Sequence, residues 1–144
     1  MNISLKQALQ KSNTLLKENN FEAALIICQS ILKVQPTNST AHHYLAISLQ
    51  KLGQLEDAAK SYKKAIELKP NYPEAHSNFG KLLQDFGQLE DAEKSYKKAI
   101  ELKPELAEAN FNLANIQSLL DKFEDAKKSY QKAIELRPDH FTAH

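Results

Sequence analysis

Apolar and polar positions alternate along this chain with the period of a helix. From Leu5 to Glu18, apolar or small residues fall at Leu5, Ala8, Leu9, Ser12, Leu15 and Leu16. That is the i, i+3, i+4, i+7 stripe of an amphipathic helix. Asn19-Asn20 interrupts it, and Phe21 to Val34 predicts a second helix that is apolar nearly all round. Pro36 closes the pair, because proline has no amide to donate and often follows a helix end. The pattern then returns. A helix is expected over about Ser39–Leu52, then a turn, a helix to Leu68, and Pro70. A third pair covers about Pro73–Leu102 and a fourth about Leu106–Leu136.

The recurrence extends to the letters. Gly53 to Pro70 reads GQLEDAAKSYKKAIELKP, and Gly87 to Pro104 repeats it with Ala59 exchanged for Glu93. Asp121 to Pro138 is a third copy, DKFEDAKKSYQKAIELRP. Tyr62, Tyr96 and Tyr130 stand 34 residues apart, as do Pro36, Pro70, Pro104 and Pro138. A fixed period of this length means stacked units, each touching its neighbours, rather than one globule. Asn19, Gly53, Gly87 and Asp121 occupy the turn between paired helices. All four types tolerate the left-handed backbone that closes a helix. Ala24, Ala58, Ala92 and Ala126 also recur in step, which predicts close helix approach there with the tyrosines as large fillers nearby.

Charge narrows the partners. With 19 basic and 18 acidic residues the formal net charge is +1, so no global field draws nucleic acid or an anionic membrane. Lysine pairs such as Lys63-Lys64 alternate with acidic residues and read as a solvated surface. The longest apolar run, Ala23 to Cys28, is too short to span a bilayer. No secretory signal is visible at the start, and Cys28 has no partner for an intrachain disulfide. These features predict a cytoplasmic location.

The repeated residues resemble the tetratricopeptide repeat, a helix-turn-helix unit of 34 residues. Phe79, Gly80, Leu83, Gly87, Ala92, Tyr96, Ala99 and Pro104 stand where that family places its large, small and terminating residues. The second unit matches with Leu45, Ala46, Leu49, Gly53, Ala58, Tyr62, Ala65 and Pro70. The fourth departs with Gln117 and Asp121, and the first is weakest, with Lys11, Ser12, Cys28 and Ile31 replacing the usual types. The resemblance implies an all-α right-handed solenoid forming a single domain over residues 1–144. Its units are about 5–38, 39–72, 73–106 and 107–140, with the start of a fifth at 141–144. RPDHFTAH begins that unit without completing it, so the expectation is a segment of a longer protein.

Catalysis needs a nucleophile or an acid–base pair converging in a pocket, and the pattern places none. Cys28 stands at a tyrosine position and reads as packing. His42, His76 and His144 share one repeat position, so they are spread along the stack and cannot converge on a metal. No catalytic, metal or cofactor site is expected.

The first helix of each pair carries the candidate chemistry. In the third unit, Ala75, Phe79, Gly80, Leu82, Leu83 and Phe86 make the packing stripe. Glu74, Ser77, Asn78, Lys81, Gln84 and Asp85 form the opposite face, which by family resemblance lines a concave groove. The same offsets select His43, Tyr44, Ile47 and Gln50 in the second unit, and Glu108, Phe111, Asn112, Asn115 and Leu119 in the fourth. Asn78 and Asn112 occupy equivalent positions and resemble the asparagine ladder in the repeats of protein O-linked N-acetylglucosamine transferases. A carboxamide offers a donor and an acceptor, which matches the two polar groups of a peptide bond. The chaperone-tail clamp of the same family fits poorly: Asn13 suits it, but Glu74 would repel a carboxylate. The expected peptide-binding set is therefore Asn13, His43, Tyr44, Asn78, Lys81, Phe111, Asn112 and Asn115.

The leading expectation is a non-catalytic module holding an extended peptide or protein segment. One alternative is the substrate-docking arm of a larger enzyme such as a glycosyltransferase. The other is a structural repeat that self-associates through uncapped ends. Ile26, expected on the outer face, suggests that something covers the first pair, either Met1–Ile3 folding back or a neighbouring chain.

Overall fold

The computed structural model describes residues 3–138, and within them every regular element is helical. The eight helices are α1 Leu5–Lys17, α2 Phe21–Val34, α3 Ser39–Lys51, α4 Leu55–Leu68, α5 Pro73–Asp85, α6 Leu89–Leu102, α7 Ala107–Leu119 and α8 Phe123–Leu136. The expected bounds hold to within a residue or so. Residues 141–144, where a fifth unit was expected, lie outside the described residues, and His144 with them.

Each turn inside a pair has one geometry. Asn19, Gly53, Gly87 and Asp121 take φ of 61°, 84°, 76° and 62°. The next amide in each case reaches back five residues: Asn20 to Leu15, Gln54 to Leu49, Gln88 to Leu83 and Lys122 to Gln117, at 2.8–2.9 Å. This is the Schellman closure, in which a left-handed residue lets the chain satisfy the last free carbonyls of a helix. Ser4 and Gln7 form a reciprocal capping box at the start of α1.

The chain divides into two compact units, residues 1–70 and 71–144. In the first, α1 packs on α2, α3 on α2 and α4, and α1 also touches α3. In the second, α5 packs on α6, α7 on α6 and α8, and α5 also touches α7. Ala24, Ala58 and Ala92 are fully buried and Ala126 nearly so, as expected of a close approach. Tyr62 and Tyr96 are buried fillers. Opposite them the small residue is necessary: a Cβ on Gly80 would lie 2.9 Å from the Tyr96 ring. In the first pair the volumes trade places, since Ser12 and Cys28, both fully buried, replace the Gly80 and Tyr96 types. Burial pushes the Cys28 thiol up to about 11, against a hydrogen bond from Ser12 that lowers it. A thiol so held has little nucleophilic thiolate.

Candidate functional site

In the second unit, an ion pair links the first helices α5 and α7. Lys81 on α5 pairs with Glu108 on α7, two residues 27 apart in sequence. Lys81 lies three residues after Asn78, and Glu108 four before Asn112. On a helix these spacings share a face, so each asparagine lies on the same face of its helix as that helix's partner in the bridge. Both asparagines are half-buried. Asn112 Nδ2 is shielded and has no hydrogen-bond partner among the described residues. Phe111 is half-buried and sits edge-on to Tyr130, with ring centroids 5.6 Å apart. Asn115 is less available than its position suggested, because its Oδ1 accepts from the Tyr130 hydroxyl.

In the first unit, Asn13 on α1 and Tyr44 on α3 are half-buried. His43 corrects the sequence reading. Expected on the open face, it is only 4% exposed, with its ring centroid 5.8 Å from Tyr44 and 6.1 Å from Tyr62. Ser77, at the same repeat position, is likewise buried at 8%. The reason is that an internal first helix packs against helices on two sides, so its apolar arc is wider than one stripe. Phe86 errs the other way, being 37% exposed although assigned to the packing stripe. Ile26 is exposed, as expected.

Three glutamines serve the core instead. Gln50 accepts from the Tyr62 hydroxyl at 2.7 Å and Gln84 from Tyr96 at 3.5 Å. Gln117, a departure from the repeat pattern, is buried and accepts from Ser129 at 2.7 Å. The constant spacing of 12 between these partners was the available signal. The Tyr96 hydroxyl is held far above its ordinary range, first by burial and then by the charges of Glu108 and Asp85. The shared histidine position also has a structural task. His42 Nε2 lies 2.8 Å from the carbonyl of Pro36, and Asn110, its equivalent, donates to Pro104 and Leu106. At these two sites the position ties a new helix to the proline that ended the one before.

Comparison with known proteins agrees with this architecture. Family models described as TPR repeat match residues 49–87 and 85–121, and models of the tetratricopeptide repeat match 107–140 and 27–60. The chain belongs to the tetratricopeptide repeat family. No curated protein matches it. Among solved structures it is similar to pilF of Pseudomonas aeruginosa, at 23% identity and a TM-score of 0.87, covering 94% of this chain and 62% of that one. A thermophilic TPR protein of Thermus thermophilus gives 22% and 0.81, with coverage of 94% and 75%. MamA gives 22% and 0.79, with 90% and 75%. At these identities the likeness concerns the fold. No described helix is long and apolar enough to cross a membrane.

Proposed function

We propose that this tetratricopeptide repeat chain is a binding module that holds an extended peptide or protein segment along its first-helix face, with Asn78 and Asn112 gripping the ligand backbone. The observation that supports this is the Lys81–Glu108 bridge, which joins α5 and α7 through the helix faces that carry Asn78 and Asn112. Asn112 adds weight. A shielded donor without a partner costs about 1–3 kcal/mol, and an alanine there would avoid that cost. Turning the amide about its last torsion would bring the Nδ2 donor toward a peptide carbonyl and end the deficit. Lys81, Glu108 and half-buried Phe111 supply charged and aromatic contacts beside the ladder. Asn13 and Tyr44 offer comparable groups on the first helices of the first unit, whereas buried His43 does not contribute.

Each carboxamide hydrogen bond contributes about 1 kcal/mol net, so two asparagines give weak, sequence-tolerant binding. That suits a module recruiting a range of segments, and it suits equally a docking arm within a larger enzyme. Cys28, buried and with a raised pKa, is not an activated nucleophile. Its state as a free thiol fits a reducing, cytoplasmic setting. The test is a peptide array of unstructured 15-residue segments, probed with the parent chain and with Asn78→Ala/Asn112→Ala. The double variant is expected to lose about tenfold or more in affinity across sequences with unchanged helicity. Equal binding by both proteins would sink the ladder.

A further inference from the structure

The near-neutral net charge of the chain is the sum of two charged halves. Residues 1–70 carry nine lysines against five acidic residues, a formal +4, and residues 71–144 carry ten basic against thirteen acidic residues, a formal −3. In the first half the excess sits wholly on the first helices. α1 and α3 hold Lys6, Lys11, Lys17 and Lys51 and no acidic residue, while the rest of residues 1–70 is balanced, five against five. On α5 and α7 the sign is opposite, with Glu74, Asp85 and Glu108 against Lys81. The four lysines of α1 and α3 are exposed, and none of them forms an ion pair among the described residues.

Three of these lysines fall on one stripe of each helix. Lys6, Asn13 and Lys17 stand at i, i+7 and i+11 along α1, and Tyr44, Ile47 and Lys51 at i, i+3 and i+7 along α3. Lys11 falls off the stripe. α1 and α3 touch directly. In the second unit the same repeat positions hold Glu74, Lys81 and Asp85 on α5 and Asn112, Asn115 and Leu119 on α7, and Lys81 reaches Glu108 at the head of the α7 stripe. Lys17 and Lys51 lie in the last turns of their helices, where the dipole favours a cation. Lys6 has no such internal reason. It lies in the first turn of α1, where the dipole favours an anion, and no acidic residue accompanies it. Glu74 and Glu108, at its repeat position on α5 and α7, have the favoured sign. A cation against its own helix is placed to meet an anion from outside.

We infer that the first-helix face of the first unit, formed by α1 and α3, takes an acidic peptide segment, with carboxylate side chains meeting Lys6, Lys17 and Lys51 and apolar side chains meeting half-buried Tyr44 and Ile47. Lys6 and Lys17 stand about 16 Å apart along α1, a reach that about five extended residues cover. Several acidic side chains are therefore needed, and one terminal carboxylate cannot serve both ends. The stripe offers a single aromatic ring, Tyr44, where single-stranded nucleic acid uses successive stacking platforms. The charge selects the segment and the apolar pair supplies contact area. This contact lies within the first unit and needs neither Asn78 nor Asn112.

The test is fluorescence anisotropy of the full chain with a labelled peptide, acetylated and amidated, in which glutamates are interspersed with leucine and serine. A second peptide carries glutamine at every glutamate, and a third carries lysine. The glutamate peptide is expected to bind about fivefold or more tightly than the glutamine peptide, with the difference shrinking as salt is raised. Lys17→Glu/Lys51→Glu should remove that preference and favour the lysine peptide instead. Lys60→Glu/Lys63→Glu on α4 changes the net charge equally and should leave the preference intact, as should Asn78→Ala/Asn112→Ala. Loss of the preference in either of these two controls, or equal or absent binding by the parent chain, would overturn the proposal. So would a preference seen only with a free peptide C-terminus, or displacement of the glutamate peptide by a lower concentration of single-stranded RNA of equal charge.

Discussion

The first seam of the array and the last are built on one plan and closed by different chemistry. Between α2 and α4, Leu25 and Gln54 line an open groove of about 530 Å³ with Leu45 and Leu49 as its floor and Asp57 and Lys60 among its lining residues. At the equivalent positions between α6 and α8, Glu93 and Lys122 form an ion pair, and Glu93 is 5% exposed. Two facing positions therefore separate an apolar, open seam from a polar, bridged one: Leu25 and Gln54 in the first, Glu93 and Lys122 in the last. Repeat identity fixes the backbone path, while single positions facing the next unit fix what that unit must be.

The largest effect should come from the fillers. Tyr96→Ala removes a fully buried ring and should cost about 3–5 kcal/mol in urea unfolding. Cys28→Ala, at the same repeat position, should cost roughly 1–2 kcal/mol because less volume is lost. Equal losses would contradict the view that the first pair exchanges volume between Ser12 and Cys28.

Next comes the bridge. Lys122→Ala leaves a buried carboxylate with only Lys97, 3.5 Å away, whereas Glu93→Ala strands an exposed ammonium, so the lysine variant should be the less stable and the double variant should recover. Burial would raise the Glu93 carboxyl, but the Lys122 hydrogen bond and the charges of Lys97 and Lys122 outweigh it and hold it below the ordinary 4.5. A depressed folded pKa means stability present above the unfolded value and lost as pH falls through the folded one. The deficit of Glu93→Ala should therefore shrink as unfolding is measured below pH 4.5, the ordinary value. The Leu25–Gln54 pair has nothing to titrate, and Leu25→Ala should show a pH-independent deficit.

Smaller still is the Gly80 effect. Gly80→Ala gains about 0.5–1 kcal/mol of helix propensity but drives a methyl into the Tyr96 ring, which typically costs about 1–3 kcal/mol. A net loss of about 1 kcal/mol is expected, against a loss of about 0.5–1 kcal/mol for the opposite change, Ala46→Gly. The turns give the smallest change. Asp121→Gly and Asn19→Gly should each stabilise by about 0.5–1 kcal/mol, because both residues hold a left-handed backbone.

The fold was legible because period, proline and turn residues all repeat in step. Helix bounds, the four left-handed turns and the burial of Cys28, Tyr62 and Tyr96 follow from that register alone. The face was harder to read. His43 looked open because a single helix stripe was counted, although an internal first helix is flanked on two sides. Gln50, Gln84 and Asn115 looked available because their tyrosine partners sit on the next helix, 12 or 15 residues away. The Lys81–Glu108 and Glu93–Lys122 pairs join residues 27 and 29 apart, in different repeats. A pattern read within one unit does not show a contact made between two.

The central claim is that the ligand lies on the α5–α7 face. The most direct measurement is a two-dimensional amide NMR titration of the labelled chain with a 15-residue peptide selected from the array. Shifts are predicted at Asn78, Lys81, Glu108 and Asn112, with the side-chain amide of Asn112 moving as it gains a partner. Shifts confined to α6 and α8, with the Asn112 amide unmoved, would contradict it.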